Sequence, residues 1–228
     1  MNIRSLLESA YQQQTDIFAS SKIFQKLESG NCDQRTYDEF LANVARSHMQ
    51  SPKILAFIYA ISPPAATERL KHNLLEELGL EEAEESHPDL LIEVLKGVGF
   101  DDAMRTRLEA EAQEELRRKC TDPFMYGTIK EFGLHIMLEV FSFEWMLSRL
   151  ATRIGDFLVK HRGIARDKLL WFYFHSEKDI QHAEEALDTL ADYLAYYDIP
   201  SEDLQAVIEV CFRENIFIRR YFGASVTV

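Results

Sequence analysis

Positive charge is in short supply in this sequence. Its 25 lysines and arginines stand against 38 aspartates and glutamates, a formal charge of −13. Sequence-independent nucleic-acid binding takes its affinity from Lys and Arg on phosphates, so no nucleic-acid partner is expected. An anionic membrane surface is disfavoured for the same reason. Cysteine is scarce as well: Cys32, Cys120 and Cys211 are odd in number and far apart, which excludes a disulfide framework and a CxxC site. No apolar run approaches the roughly 18 residues of a membrane span. The first residues, MNIRSLLESAYQQQTDIF, have neither a long apolar core nor a small-residue cleavage site. The expectation is a soluble protein of a reducing cytoplasm, with no membrane partner. Strand alternation, internal repeats, low-complexity stretches and linkers are also missing.

What the sequence does have is helical periodicity. At 228 residues and 46% apolar content it can bury a core, and the reading is one all-α domain over 1–228 with about seven to eight helices and a frayed tail at 223–228. A first helix covers 3–19, a short one carries IFQKL, and Gly30-Asn31 breaks the chain. Asp33 caps a helix running towards Ile61 that Pro52 kinks or splits. Ser62-Pro63-Pro64 ends it, and the next helix stops at Gly79. After an acidic loop, His87-Pro88 opens a short helix closed by Gly97 and Gly99. Asp101 or Asp102 caps an exposed helix to about Arg118. Asp122-Pro123 starts a long one from Phe124 to about Lys160, a second long helix spans Asp167 to Tyr197, and a last one runs to Tyr221.

The chemistry sits on those helices. In WFYFHSEKDIQHAEEAL, His175, Asp179 and His182 stand at i, i+4 and i+7, within about 60° of one another at roughly 100° per residue. Two imidazoles and a carboxylate on one face suit iron, zinc or manganese. The same spacing also fits an amphipathic helix whose histidines merely border the core. Glu76 and Glu77 fall in the last turn of a helix, where the macrodipole disfavours a negative charge and a cation is welcome, and His87 follows at the mouth of the next helix. Most of Glu76, Glu81, Glu82, Glu84 and Glu85 read as a solvated acidic loop. On the long helix, Glu144 has Val140, Phe141, Leu147, Ser148 and Ala151 as same-face neighbours, and burying it unpaired would cost several kcal/mol. Glu139 is its rival. The two lie about 140° apart, so at most one faces the bundle centre. Arg149 is a candidate for a substrate carboxylate or for a salt bridge.

Taken together, Asn73-Leu74, Glu76-Glu77, Gly79 and His87, then Glu144, then His175, Asp179 and His182 resemble the haem-oxygenase-like non-haem di-iron oxidases and oxygenases. The resemblance covers most of the chain. It implies a haem-oxygenase-like helical bundle and six metal ligands, Glu77, His87, Glu144, His175, Asp179 and His182, holding two iron ions, with O2 as co-substrate. It also prefers Glu144 to Glu139. It further implies an oxidoreductase acting on a small amino-acid or fatty-acid-like metabolite, and a homodimer. The same fold hosts haem oxygenase and TenA- and PqqC-like enzymes, so a metal-independent enzyme is an alternative reading. His48 is the one candidate for a haem ligand near the N-terminus and reads as a core or pocket histidine. No cysteine lies between Phe124 and Lys160 for TenA-type chemistry. A non-enzymatic acidic helical module with a vestigial site is the third reading.

Overall fold

The computed structural model of the chain describes residues 3–81, 85–122 and 127–223, and among these there is no strand. The expected all-α bundle forms. It divides into eleven α-helices among the described residues, more finely than the periodicity suggested, because Pro52 and the Asn215 cap interrupt what read as continuous segments. The N-terminal half consists of α1 (Ile3–Ser20), α2 (Lys22–Ser29), α3 (Gln34–His48), α4 (Ser51–Ile61), α5 (Thr67–Glu77) and α6 (His87–Val98). Then come α7 (Asp102–Thr121), α8 (Ile129–Phe157), α9 (Leu170–Tyr196), α10 (Ser201–Cys211) and α11 (Ile216–Phe222).

Several expected boundaries hold. Asp33 caps α3 by accepting from Thr36 N–H at 2.9 Å, and Pro52 lies in the first turn of α4, so the chain splits there. Gly97, expected to close α6 with Gly99, lies inside the helix against Lys168; only Gly99, at φ 92°, ends it. The long helix starts at Ile129 rather than Phe124. Thr128 caps it in a reciprocal capping box with Glu131, while Asp122 ends α7. The last helix is two, with Asn215 capping α11. Part of the acidic loop (82–84), Pro123 to Tyr126 and the tail from residue 224 lie outside the described residues.

Helices α8 and α9 pack along one another as the central pair. Both bury apolar side chains over much of their circumference, including Met137, Phe141, Met146 and Leu150 on α8 and Trp171, Phe172, Leu187 and Leu190 on α9. Helix α1 covers this pair, α5 leans on α9, and α3 gathers α6, α7 and α11 around itself. No described helix is long and apolar enough to cross a membrane. Cys32, Cys120 and Cys211 are all free.

Candidate metal centre

The helical spacing of His175, Asp179 and His182 does turn all three inward on α9, and each is buried. His175 Nδ1 lies 2.7 Å from the Trp171 carbonyl. A carbonyl only accepts, so Nδ1 carries the proton and Nε2 keeps its lone pair. Burial, reinforced by His87, lowers the His175 pKa well below the ordinary value, so the ring is neutral. A neutral imidazole anchored through one nitrogen is the form in which histidine binds a metal.

Glu77 and His87 reach the same place from the α5–α6 connection. Gly79, at φ 68°, folds the chain so closely that a Cβ there would lie 2.6 Å from Ser86 N. Ser86 then caps α6, which sets His87 in its first turn. Glu77 Oε1 is 2.7 Å from His87 Nδ1, and Ser51 Oγ donates to Glu77 Oε2 at 2.5 Å. Each of Glu77, His87 and His175 offers a donor atom within 4.8 Å of the other two, and all three side chains are buried. Burial pushes the Glu77 carboxyl up, but His87 outweighs it and holds the pKa at about 2.

The second trio is less tightly drawn. Glu144 Oε1 accepts from Asn73 Nδ2 at 2.8 Å. His182 Nδ1 is 3.5 Å from Asp179 Oδ1, while its Nε2 lies 2.6 Å from Glu76 Oε2. Burial raises Glu144 to about 7 and Asp179 to about 6. Burial opposes protonation of His182, but Asp179 and Glu76 on either side raise its pKa to about 11.

Do these residues suit the metal that their chemistry suggests? Both ring nitrogens of His87, Glu144 Oε2 and Asp179 Oδ2 are buried without a hydrogen bond. The His87–Glu77 contact is short, at 2.7 Å, but falls outside hydrogen-bond geometry. Buried polar atoms are normally satisfied, and several orphans in one cluster of carboxylates and imidazoles fit a cation. Five of the six candidate ligands, all but His87, line a cleft of about 830 Å3, counted to its open mouth.

Other candidates are placed elsewhere or differently. Glu139 also lines the cleft, but it is engaged by Arg220 and by Lys119 at 3.7 Å. Glu144 is therefore the carboxylate with an unspent oxygen. Arg149 stacks its guanidinium 3.6 Å from the Trp145 ring centre instead of meeting an acid or the cleft. His48 is a cleft histidine bonded to the Tyr221 hydroxyl at 2.8 Å. Glu76 is not part of a solvated loop: it is 3% exposed. Sequence reasoning also missed Ser51, Asn73 and the Trp171 carbonyl as supports, although Asn73 belongs to the motif itself.

These helices and this cluster define a haem-oxygenase-like protein with a candidate metal site. The chain belongs to a family of iron-containing redox enzymes, whose model matches residues 38–213, a span that includes all six candidate ligands. In fold it is similar to a domain of unknown function with a heme oxygenase-like fold from Shewanella denitrificans OS217. The two are 14% identical, with a TM-score of 0.61 over 99% of this chain and 97% of that one. At that identity the likeness concerns the fold alone. No curated protein matches it in sequence.

Proposed function

We propose that the protein is an O2-dependent oxidoreductase with a non-haem di-iron centre that oxidises a small organic metabolite. The observation that carries this reading is the set of buried atoms without a hydrogen bond on His87, Glu144 and Asp179, from α6, α8 and α9, clustered with Glu77, His175 and His182 beside one cleft. Glu77, His87 and His175 would hold one ion, and Glu144, Asp179 and His182 the other. Three carboxylates come within one charge of neutralising two divalent ions, and three imidazoles fill out a nitrogen and oxygen shell. Bound iron would supply the O2 chemistry that no side chain can.

The protein's own part is positioning and exclusion of water. Trp171 O fixes the His175 ring, Ser51 fixes Glu77 and Asn73 fixes Glu144. The same cleft is lined by apolar Ile54, Leu55, Phe143 and Leu147 and by a paired set of charges, Arg46, Lys119 and Arg220 with Glu115 and Glu139. Cations and carboxylates side by side suit a substrate bearing both an ammonium and a carboxylate. An amino-acid-like metabolite fits that lining better than a fatty acid, which needs a long apolar channel.

The test is metal analysis of protein expressed with added Fe(II) and purified without oxygen, followed by O2 addition in the presence of amino-acid and fatty-acid panels. Two irons per chain and a substrate-dependent optical change are expected, strongest among amino acids. A well-folded sample, expressed with added Fe(II) and kept from oxygen, that holds no iron would overturn the reading.

A further inference from the structure

Glu76 has no place in the six-residue set, yet it is among the most enclosed charged groups of the protein. It occupies the last turn of α5, where the unsatisfied carbonyls repel a carboxylate, and it is 3% exposed. Both of its oxygens are engaged from α9. Oε2 lies 2.6 Å from His182 Nε2, and Oε1 lies 3.4 Å from Lys178 Nζ. A buried acid in so unfavourable a position needs a reason, and the His182 ring supplies one. A carboxylate accepts, so Nε2 holds a proton towards Glu76. That leaves Nδ1 to face Asp179, 3.5 Å away, and Asp179 and Glu144, which line the same cleft as His182, each keep an oxygen without a hydrogen bond.

We propose that Glu76 is a positioning residue that holds His182 through Nε2–H, so that Nδ1 is the nitrogen presented to the second metal ion. This rests on the two-metal reading above. His175 is anchored the opposite way, Nδ1 to the Trp171 carbonyl with Nε2 free. The two histidines of α9 thus present different nitrogens to the cleft. Each is locked by a partner that can only accept, and such partners fix the tautomer and orientation of a metal-bound imidazole.

The test is a Zn(II) titration of the metal-free protein, with nitrogen-15 NMR of labelled histidine rings. In the wild type a His182 Nε2–H signal is expected before and after zinc, with the coordination shift falling on Nδ1. Glu76→Ala should keep the first zinc at wild-type affinity, weaken the second about tenfold to a hundredfold, and lose the Nε2–H signal. Glu76→Gln keeps size and an acceptor, so it guards against a folding failure of the alanine variant. It should stay within a few-fold of wild type for both ions. A coordination shift on His182 Nε2, or full second-site affinity in Glu76→Ala, would overturn the proposal. So would a glutamine variant as weak as alanine, since charge rather than position would then be at work. If the wild type takes up neither zinc nor iron, the two-metal reading fails. The metal-free spectrum still decides whether Glu76 holds the His182 ring: the signal present in the wild type and lost in Glu76→Ala supports it, and its absence from the wild type overturns it.

Discussion

Glu139 and Glu144 stand on the same helix, both buried or nearly so, and their partners divide them. Burial would raise the Glu139 carboxyl, but Arg220 and Lys119 more than offset it and hold it at about 2. The folded protein keeps this charge where the unfolded chain, with an ordinary value of 4.5, is already losing it. The stabilisation is therefore complete above pH 4.5 and is lost as pH falls towards 2. Glu139→Gln should cost about 3 kcal/mol at neutral pH, since it removes the carboxylate shared by two largely buried cations and leaves them only Glu115, and should flatten the acid limb of stability against pH. Chemical denaturation across that range reads both effects. Glu144 has one oxygen on Asn73 and one without a hydrogen bond. Glu144→Gln keeps the Asn73 bond and removes a desolvated charge. Metal-free stability should hold or rise by about 1 kcal/mol, while iron uptake, measured on the same preparation, falls. Uptake by Glu139→Gln should be retained.

At the scale of the element, what could be read beforehand depended on whether the cause was local. The face shared by His175, Asp179 and His182 follows from the helix repeat, and Asp33 announces its own cap, so both were legible in the sequence. The start of α8 was not, because two local signals compete. Asp122-Pro123 has the form of a cap followed by proline, yet Thr128 and Glu131 make the capping box that is used. Thr128→Ala should therefore destabilise the protein by about 1 kcal/mol, roughly 2–4 °C in Tm for a chain of this size. Asp122→Ala should leave the melting curve in place. Calorimetry of the two variants separates the signals. The burial of Glu76, by contrast, has no local sign at all. Its partners His182 and Lys178 lie on α9, far along the chain, and a run of glutamates before a loop reads as solvated until α9 is packed against α5. What distinguishes Glu139 from Glu144 is likewise distant in sequence: Arg220, Lys119 and Asn73 lie on three other helices.

For the molecule as a whole, the cluster ties separate elements together. Helices α5 and α6 meet α9 through Glu76, Glu77 and His87 as well as through Arg69, which reaches Thr189 and Asp192, and the apolar face of α6, and the turn between them is held by Gly79 and Ser86. Buried carboxylates there raise the free energy of the metal-free fold, and a cation bound between them would offset that cost in the folded state alone. Mass action then stabilises the protein: free metal at a hundred times its Kd contributes about 2.7 kcal/mol. At roughly 2–4 °C per kcal/mol for a chain of this size, loading with Fe(II) under nitrogen should raise Tm by about 5–10 °C for each ion bound. A chelator should reverse the rise. Hydrogen exchange should locate the change, with protection gained in α5, in the first turn of α6 and around His175 to His182 on α9, and little altered in α1, α2 or α10. A Tm rise with protection spread evenly over the bundle would place the metal somewhere other than this cluster. Glu144→Gln, which leaves every helix its apolar packing, should lose the share of the rise that belongs to the second ion while melting, without metal, near the metal-free wild type.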